Sequence, residues 1–340
     1  MMRDRVFATF PLPPDAQAAL RRVATVQTYR GPQPIPRPTL LAGVRRADGL
    51  LCLLTERIDA ALLAAAPRLR AVANCAVGYD NVDLHAAAAR GIVVTNTPDV
   101  LTETSADLAW ALLLAAARRI AEGDRLVRAG RWWGWAPDLL LGTDVHGATL
   151  GVVGLGRIGA AVARRAAGFG MRVLYWQRHR LAAPPAGAAY VPLARLLASA
   201  DLVSLHVPLT PETHHLMGAR ELARMKRSAV LVNTSRGPVV DERALVAALR
   251  ARRIAGAGLD VYEHEPAVPR TLRTLPNVVL TPHIGSATTA TRGRMAARAA
   301  RNLAAALAGR EPPNRVLPAP EAVSSRSRGA RPSRIHRPCR

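Results

Sequence analysis

The segment LGVVGLGRIGAAVARRAAGFG, residues 150–170, decides how the rest of the chain is read. Residues 148–153 are an apolar run too short for a helix and of the right length for a buried parallel strand, and they pass straight into Gly154, Gly156 and Gly159. Each glycine has its own task in a dinucleotide-binding turn. Gly154 permits the tight bend, Gly156 lets backbone approach a pyrophosphate, and Gly159 allows the next helix to pack closely on the strand. That helix, beginning near Arg157, points free amides and the positive end of its dipole at the phosphates. Glycine-rich turns are common, so the spacing alone is weak. The strand before it, and Ile158, Val162 and Ala166 at helical spacing after it, supply the context the motif requires. Gly154, Leu155, Gly156, Arg157, Ile158 and Gly159 are therefore the expected cofactor contacts.

Length and composition bound the remainder. A chain of 340 residues exceeds what one core usually serves, which predicts two domains. Hydrophobic content of 49% and a mean hydropathy of +0.07 indicate a globular, soluble chain. The longest apolar run, residues 108–117, is about half of the roughly 20 residues a bilayer requires, and MMRDRVFATFPLPPD at the N-terminus has no signal-peptide core. The expectation is a cytoplasmic protein with no membrane partner. Cys52, Cys75 and Cys339 fit no metal spacing and no disulfide framework, so no metal is expected.

A net charge of +23 raises the question of nucleic acid. The charge is spread along the chain, however, and Lys226 is the single lysine among 47 basic residues, a skew that resembles codon bias more than a selected patch. There is no zinc finger, no RNA-recognition signature and little aromatic interleaving, with 4% aromatic residues. No nucleic-acid partner is expected.

Along the chain, residues 6–10 read as a strand, 14–26 as a helix and 31–38 as a proline-rich loop. Strands follow at 49–54, 71–75 and 92–95, alternating with helices at 59–66 and 83–89. Residues 102–120 read as one long helix, with Thr104 and Asp107 spaced like a capping box. Its middle, LAWALLLAAA, is apolar on every face, which suggests burial between two domains. Beyond the glycine turn, strands at 172–176, 202–206, 229–233, 254–259 and 278–281 alternate with helices at 193–198, 218–225 and 241–251, and a last helix spans 286–309. The pattern is α/β, with doubly wound parallel sheets. The tail at 319–340, with six arginines and one glutamate, reads as disordered.

These residues resemble the D-isomer-specific 2-hydroxyacid dehydrogenases, and among them the glyoxylate and hydroxypyruvate reductases. The resemblance covers residues 6–317 and rests on separated motifs: CLLTERID from Cys52, NCAVGYDNVD from Asn74, TPDVLTETSADLAWALLLAAARR from Thr97 and GRWWGWAP from Gly130. GLGRIG from Gly154, NTSRGPVVDE from Asn233, AGLDVYEHEP from Ala257 and TPHIGSAT from Thr281 continue the series. It implies two Rossmann-like domains. The catalytic one is discontinuous, 1–98 with 287–318, and the dinucleotide-binding one spans 99–286.

Reduction of a 2-keto acid needs a hydride donor, a cation for the carboxylate and carbonyl, and an acid for the developing alkoxide. Arg236 ends the apolar strand of AVLVNTSRG, where open sheets place ligand-binding residues, and its fork suits a carboxylate. His283 follows the strand in NVVLTPHIG, and Glu265 is its natural partner, because a carboxylate beside imidazole favours the protonated ring. Taken singly, Arg236 can cap a helix and His283 can be a structural histidine. The resemblance implies Arg236 as substrate binder, His283 as acid/base and Glu265 as its orienter; His206, His214, His215 and His264 read as structural or solvent-facing. It further implies that Val77 and Gly78 hold the substrate carboxylate through backbone amides, and that Leu53 and Leu54 form the apolar side of the pocket. Thr104 and Asp260 match positions at the nicotinamide end, Thr234 and Ser235 line the cofactor cleft, and Gly285 also faces the cofactor.

Three specificity features remain. The strand end RVLYWQRHR has Gln177 where NAD-specific sites carry an acid, followed by Arg178 and Arg180, so NADPH is expected over NADH, although an arginine-rich chain can place arginines there by accident. Glyoxylate or hydroxypyruvate is the expected substrate. The alternatives are another 2-hydroxy acid, such as a D-lactate-like acid or 3-phosphoglycerate, or a dinucleotide-sensing corepressor-like scaffold without turnover. Finally, Trp132, Trp133 and Trp135 are too apolar for a solvated loop. The resemblance implies a homodimer in which Trp135 reaches the neighbour's substrate site; the alternative is that all three pack in their own subunit.

Overall fold

The computed structural model describes residues 3–318, so the basic tail and Cys339 lie outside the described residues. The strands are β1 (Asp4–Ala8), β2 (Ala24–Thr28), β3 (Gly49–Cys52), β4 (Ala71–Asn74), β5 (Val93–Thr95), β6 (Thr149–Val153), β7 (Arg172–Trp176), β8 (Ala188–Tyr190), β9 (Leu202–Leu205), β10 (Val230–Asn233), β11 (Gly256–Leu259), β12 (Val278–Leu280) and β13 (Arg315–Val316). They form two sheets, ordered β13-β5-β4-β3-β1-β2 and β12-β11-β10-β9-β6-β7-β8. All pairings are parallel except the antiparallel β13–β5 pair. β3, β4, β9, β10 and β11 are buried along their whole length, as their continuous apolar runs require of parallel strands covered on both faces.

In each sheet the strand order reverses once, between β1 and β3 in the first and between β6 and β9 in the second. Crevices beyond the carboxyl ends of strands at such reversals are where doubly wound sheets bind ligands. The chain enters the second sheet through the helix Thr102–Ala117 and returns to the first through the helix Thr289–Leu307. The returning helix buries Met295, Ala296, Ala299, Ala300, Leu303 and Leu307 in the core shared with β1, β3 and β4. Buried Asn302 donates to the Asn96 carbonyl at 2.9 Å, fixing its register.

Several expectations are corrected. The helix expected at 14–26 ends at Arg21, and its last residues instead form β2, whose partly exposed alternation resembles the face of an amphipathic helix over so short a span. β8 and β13, three and two residues long, and the helix Arg37–Val44, which begins in the last two residues of the proline-rich stretch and runs on past it, have no counterpart in the sequence pattern. The helix expected at 102–120 stops at Ala117. Arg119 adopts a left-handed conformation, φ 54°, and a separate helix runs Ile120–Arg128. Thr104 is not a cap: the N-cap is Leu101, the Thr104 hydroxyl meets that of Thr291 at 2.7 Å, and Asp107 pairs with Arg165 at 2.7 Å. Nor does the apolar helix lie chiefly between the domains. It packs on β10 and β11 and against the helix Arg157–Ala166, with Trp110 stacked on Phe169 and donating to the Val162 carbonyl at 3.0 Å.

Candidate active site

The turn after β12 is built on one buried carboxylate. Asp260, at the end of β11, accepts from the Thr281 hydroxyl at 2.6 Å and the Ile284 amide at 2.8 Å through Oδ1, and from the Gly285 amide at 2.8 Å through Oδ2. Burial pushes this carboxyl above the usual range, against the opposing pull of those donors and of His283. The turn holds His283 at φ 53°, a left-handed backbone that costs a residue other than glycine about 1 kcal/mol or more. There Nδ1 of His283 meets Oε2 of Glu265 at 2.8 Å, and Oε1 of Glu265 accepts from the Tyr262 amide at 3.0 Å. With Nδ1 so engaged, Nε2 has no hydrogen-bond partner among the described residues. Burial raises the Glu265 carboxyl, but the hydrogen bond and charge of His283, the Tyr262 amide and Arg236 outweigh it and hold Glu265 below the usual range. Glu265 is thus an anion at neutral pH, the condition that favours a protonated imidazole.

Arg236 follows β10. Buried Asn233 clamps the bend, donating to the Arg236 carbonyl at 2.8 Å and accepting from the amide and hydroxyl of Ser235 at 3.0 and 2.8 Å. The guanidinium is 21% exposed and lies against the loop after β4. A Cβ on Gly78 would overlap Nη2, so the absence of a side chain is what admits the arginine. Its Nε donates to Asp80 at 3.0 Å and its Nη1 to the Ser235 carbonyl at 2.8 Å.

The loop itself is held by asparagines. Asn96 donates to the Val77 carbonyl at 2.8 Å, and Asn74 to the Gly78 carbonyl at 2.9 Å. The amides of Val77 and Gly78 find no acceptor among the described residues. Asn81 donates to the carbonyls of Leu53 and Glu56 at 3.2 and 3.0 Å, tying this loop to the end of β3. Buried Glu56 accepts from the Thr9 hydroxyl at 3.0 Å and from the Leu53 amide, and burial raises its carboxyl despite the bonds from Thr55, Leu53 and Thr9. Leu53, Val77, Gly78, Arg236, Glu265 and His283 therefore border the facing strand ends of the two sheets.

The glycine turn has the geometry of a phosphate cradle. Gly154 has φ 93°, and a Cβ on Gly159 would overlap the Gly154 carbonyl oxygen. On Gly156 a Cβ meets nothing of the protein within 4 Å. The ten-residue helix Arg157–Ala166 starts at this glycine with no side-chain cap. Leu155 is buried and Ile158 packs against the core of the first sheet. The Arg157 side chain turns away to Asp99 at 2.6 Å, so that position offers the cleft its backbone amide. Gln177 accepts from the Leu155 amide at 3.1 Å and donates to the His179 carbonyl at 2.6 Å, with Arg178 and Arg180 exposed beyond it. Thr234 Oγ1, immediately after β10, is buried without a partner among the described residues.

His206 is a structural neutral histidine bonded to Ser204 at 2.8 Å, its pKa pushed down to about 4 by burial. His215 pairs with Glu263 at 2.7 Å. Trp133 and Trp135 are 95 and 84% exposed and so barely pack within their own chain, while Trp132, 55% exposed, is half-covered by it. The motif reading missed Asp80, Glu56 and the asparagines. All lie inside or beside quoted motifs, and Asp80 stands two residues beyond Gly78 on the same loop.

Residues 110–285 match the family described as D-isomer specific 2-hydroxyacid dehydrogenase, NAD binding domain. The chain is 53% identical over 319 residues to the glyoxylate reductase of Korarchaeum cryptofilum, covering 93% of this chain and 96% of that one, and 50% identical over 321 residues to the glyoxylate reductase of Thermococcus litoralis, covering 93% and 97%. A crystal structure of a Thermus thermophilus protein superposes with a TM-score of 0.87 at 52% identity, over 92% of this chain and all of that one. The NADPH-dependent glyoxylate/hydroxypyruvate reductase of Sinorhizobium meliloti, solved with NADP and malonate, superposes with a TM-score of 0.81 at 38% identity, over 93% and 97%.

Proposed function

Because the chain belongs to the D-isomer-specific 2-hydroxyacid dehydrogenases, we propose that it reduces glyoxylate and hydroxypyruvate to their 2-hydroxy acids, with NADPH as preferred hydride source and NADH as a poorer one. The observation that carries this reading is the joint placement of the His283–Glu265 pair, Arg236 and the unpartnered Val77 and Gly78 amides at the facing ends of two sheets. We assign residues 1–98 with 287–318 to the catalytic domain and 99–286 to the dinucleotide-binding domain. The glycine turn, the uncapped helix start and the orphaned Thr234 hydroxyl fit a dinucleotide. When bound, its nicotinamide supplies a hydride to the carbonyl carbon. The chain's own residues do the rest. Arg236 and the Val77 and Gly78 amides hold the carboxylate, Leu53 and Leu54 bound the small apolar side, and Nε2 of His283 gives its proton to the carbonyl oxygen. Glu265 keeps the ring oriented. A steady-state screen of NADPH and NADH against glyoxylate, hydroxypyruvate, pyruvate and phosphohydroxypyruvate tests the reading. Turnover confined to pyruvate or phosphohydroxypyruvate overturns the substrate assignment, and no turnover of any overturns the enzyme.

The coupling of the pair has a signed consequence. Glu265 is held ionised, and an anion beside imidazole favours the protonated acid that reduction requires. In Glu265→Gln that charge is gone, so the alkaline limb of the kcat/KM profile for keto-acid reduction moves to lower pH. An unchanged limb means that the carboxylate does not govern the acid.

We also assign a homodimer. The helix Ile120–Arg128 buries none of its residues, leaving Ile120 and Val127 56 and 58% exposed, and Trp133, Trp135 and Leu141 continue the apolar surface. Two such faces related by a two-fold axis bury each other, and Trp135 would then stand at the partner's substrate site. Sedimentation velocity at assay concentration should show a dimer; a fully active monomer excludes the arrangement.

A further inference from the structure

Arg236 has five donor hydrogens and an edge to choose for the substrate, and the structure shows what makes the choice. Nε is taken by Asp80 Oδ1 at 3.0 Å, and one Nη1 hydrogen by the Ser235 carbonyl at 2.8 Å. Nη2 lies over Gly78, whose amide, like that of Val77, has no acceptor among the described residues. We propose that Asp80, through its bond to Nε, is a positioning residue that turns the Nη1–Nη2 edge of Arg236 toward the substrate carboxylate. This rests on the reading of Arg236 as the carboxylate binder.

The alternative edge, Nε with Nη2, is equally able to form a bidentate pair with a carboxylate. Occupation of Nε removes it from competition, and the pairing of a strand-end arginine from one sheet with a loop acid from the other sets the guanidinium relative to the Val77–Gly78 amides. Asn81, the next residue, is anchored to Leu53 and Glu56, so the acid sits on a braced loop. Asp80 is 37% exposed on its side chain and belongs to no hydrophobic core cluster, so its replacement is expected to leave the fold intact. Its negative charge opposes an incoming anion, so orientation and charge act in opposite directions and two substitutions separate them.

Asp80→Ala is expected to raise KM for glyoxylate about fivefold and Ki for oxamate in parallel, with KM for NADPH and kcat changed less than about twofold. Asp80→Asn keeps an oxygen acceptor for Nε and loses the charge, so it should restore KM to the wild-type value or below. In an Arg236→Ala background, itself expected to raise KM, Asp80→Ala should be silent. An Asp80→Ala enzyme with unchanged glyoxylate KM and oxamate Ki, an Asp80→Asn enzyme as impaired as Asp80→Ala, or full additivity with Arg236→Ala overturns the role of Asp80. If Arg236→Ala leaves KM and Ki unaltered, the reading of Arg236 itself falls, and this proposal with it.

Discussion

Replacing His283 with alanine should lower kcat for glyoxylate reduction by about 10² to 10⁴ while leaving NADPH affinity nearly unchanged, as loss of a general acid does. Imidazole is the side chain whose ordinary titration lies near neutral pH, and here its Nδ1 is committed to ionised Glu265 at 2.8 Å. Alanine also changes the backbone cost of the φ 53° position, so a second variant is needed. Asparagine tolerates the left-handed region better than most residues but carries no titratable proton. His283→Asn should therefore match His283→Ala in its loss of kcat and exceed it in thermal stability. Near-normal turnover in either variant, or recovery of activity by asparagine, removes His283 as the acid. Cofactor affinity, read by fluorescence titration, separates a chemical defect from a collapsed cleft.

The second large effect concerns cofactor choice. Gln177→Asp combined with Arg178→Ala should move the ratio of kcat/KM for NADPH over NADH toward NADH by about tenfold to a hundredfold. A charged hydrogen bond is worth roughly 1.5 to 3 kcal/mol, and each 1.4 kcal/mol is about tenfold. At present the end of β7 offers the neutral Gln177 amide, which spans the turn between Leu155 and His179. Arg178 and Arg180 are exposed and form no ion pair among the described residues. A 2′-phosphate would meet guanidinium without repulsion, whereas an introduced carboxylate would repel it and accept hydrogen bonds from an unmodified ribose. The aspartate also gives up the Gln177 donation to His179. Gln177→Met, which gives up the same donation without adding charge, tested beside it, shows whether charge or lost bracing dominates. A wild-type enzyme that already uses NADH better defeats the electrostatic argument at the start.

Much of the fold is readable from residues 150–170 outward because the relevant forces are local. A buried parallel strand needs a continuous apolar run, a tight turn needs glycine, and a helix packed on a sheet repeats its apolar residues every three or four positions. Gly154 at φ 93° and Gly159 against the Gly154 carbonyl follow from the glycine spacing read with its flanking strand and helix, and Asp59, Asp83 and Asp241 cap helix starts through their own side chains. Where the local signal is short or ambiguous it fails. β2, β8 and β13 are edge strands of two to five residues, too brief for periodicity to distinguish. Contacts between distant segments leave no local mark. Asp80 and Arg236 are 156 positions apart, Thr104 and Thr291 187, and they meet because strand order brings the ends of two sheets together. Residue type also does not reveal whether the tryptophans at 132, 133 and 135 are buried, since an apolar side chain covers its own core or a partner with the same physics. Their exposure, like the bond that fixes the edge of Arg236, is decided only when the tertiary structure has used up every other surface.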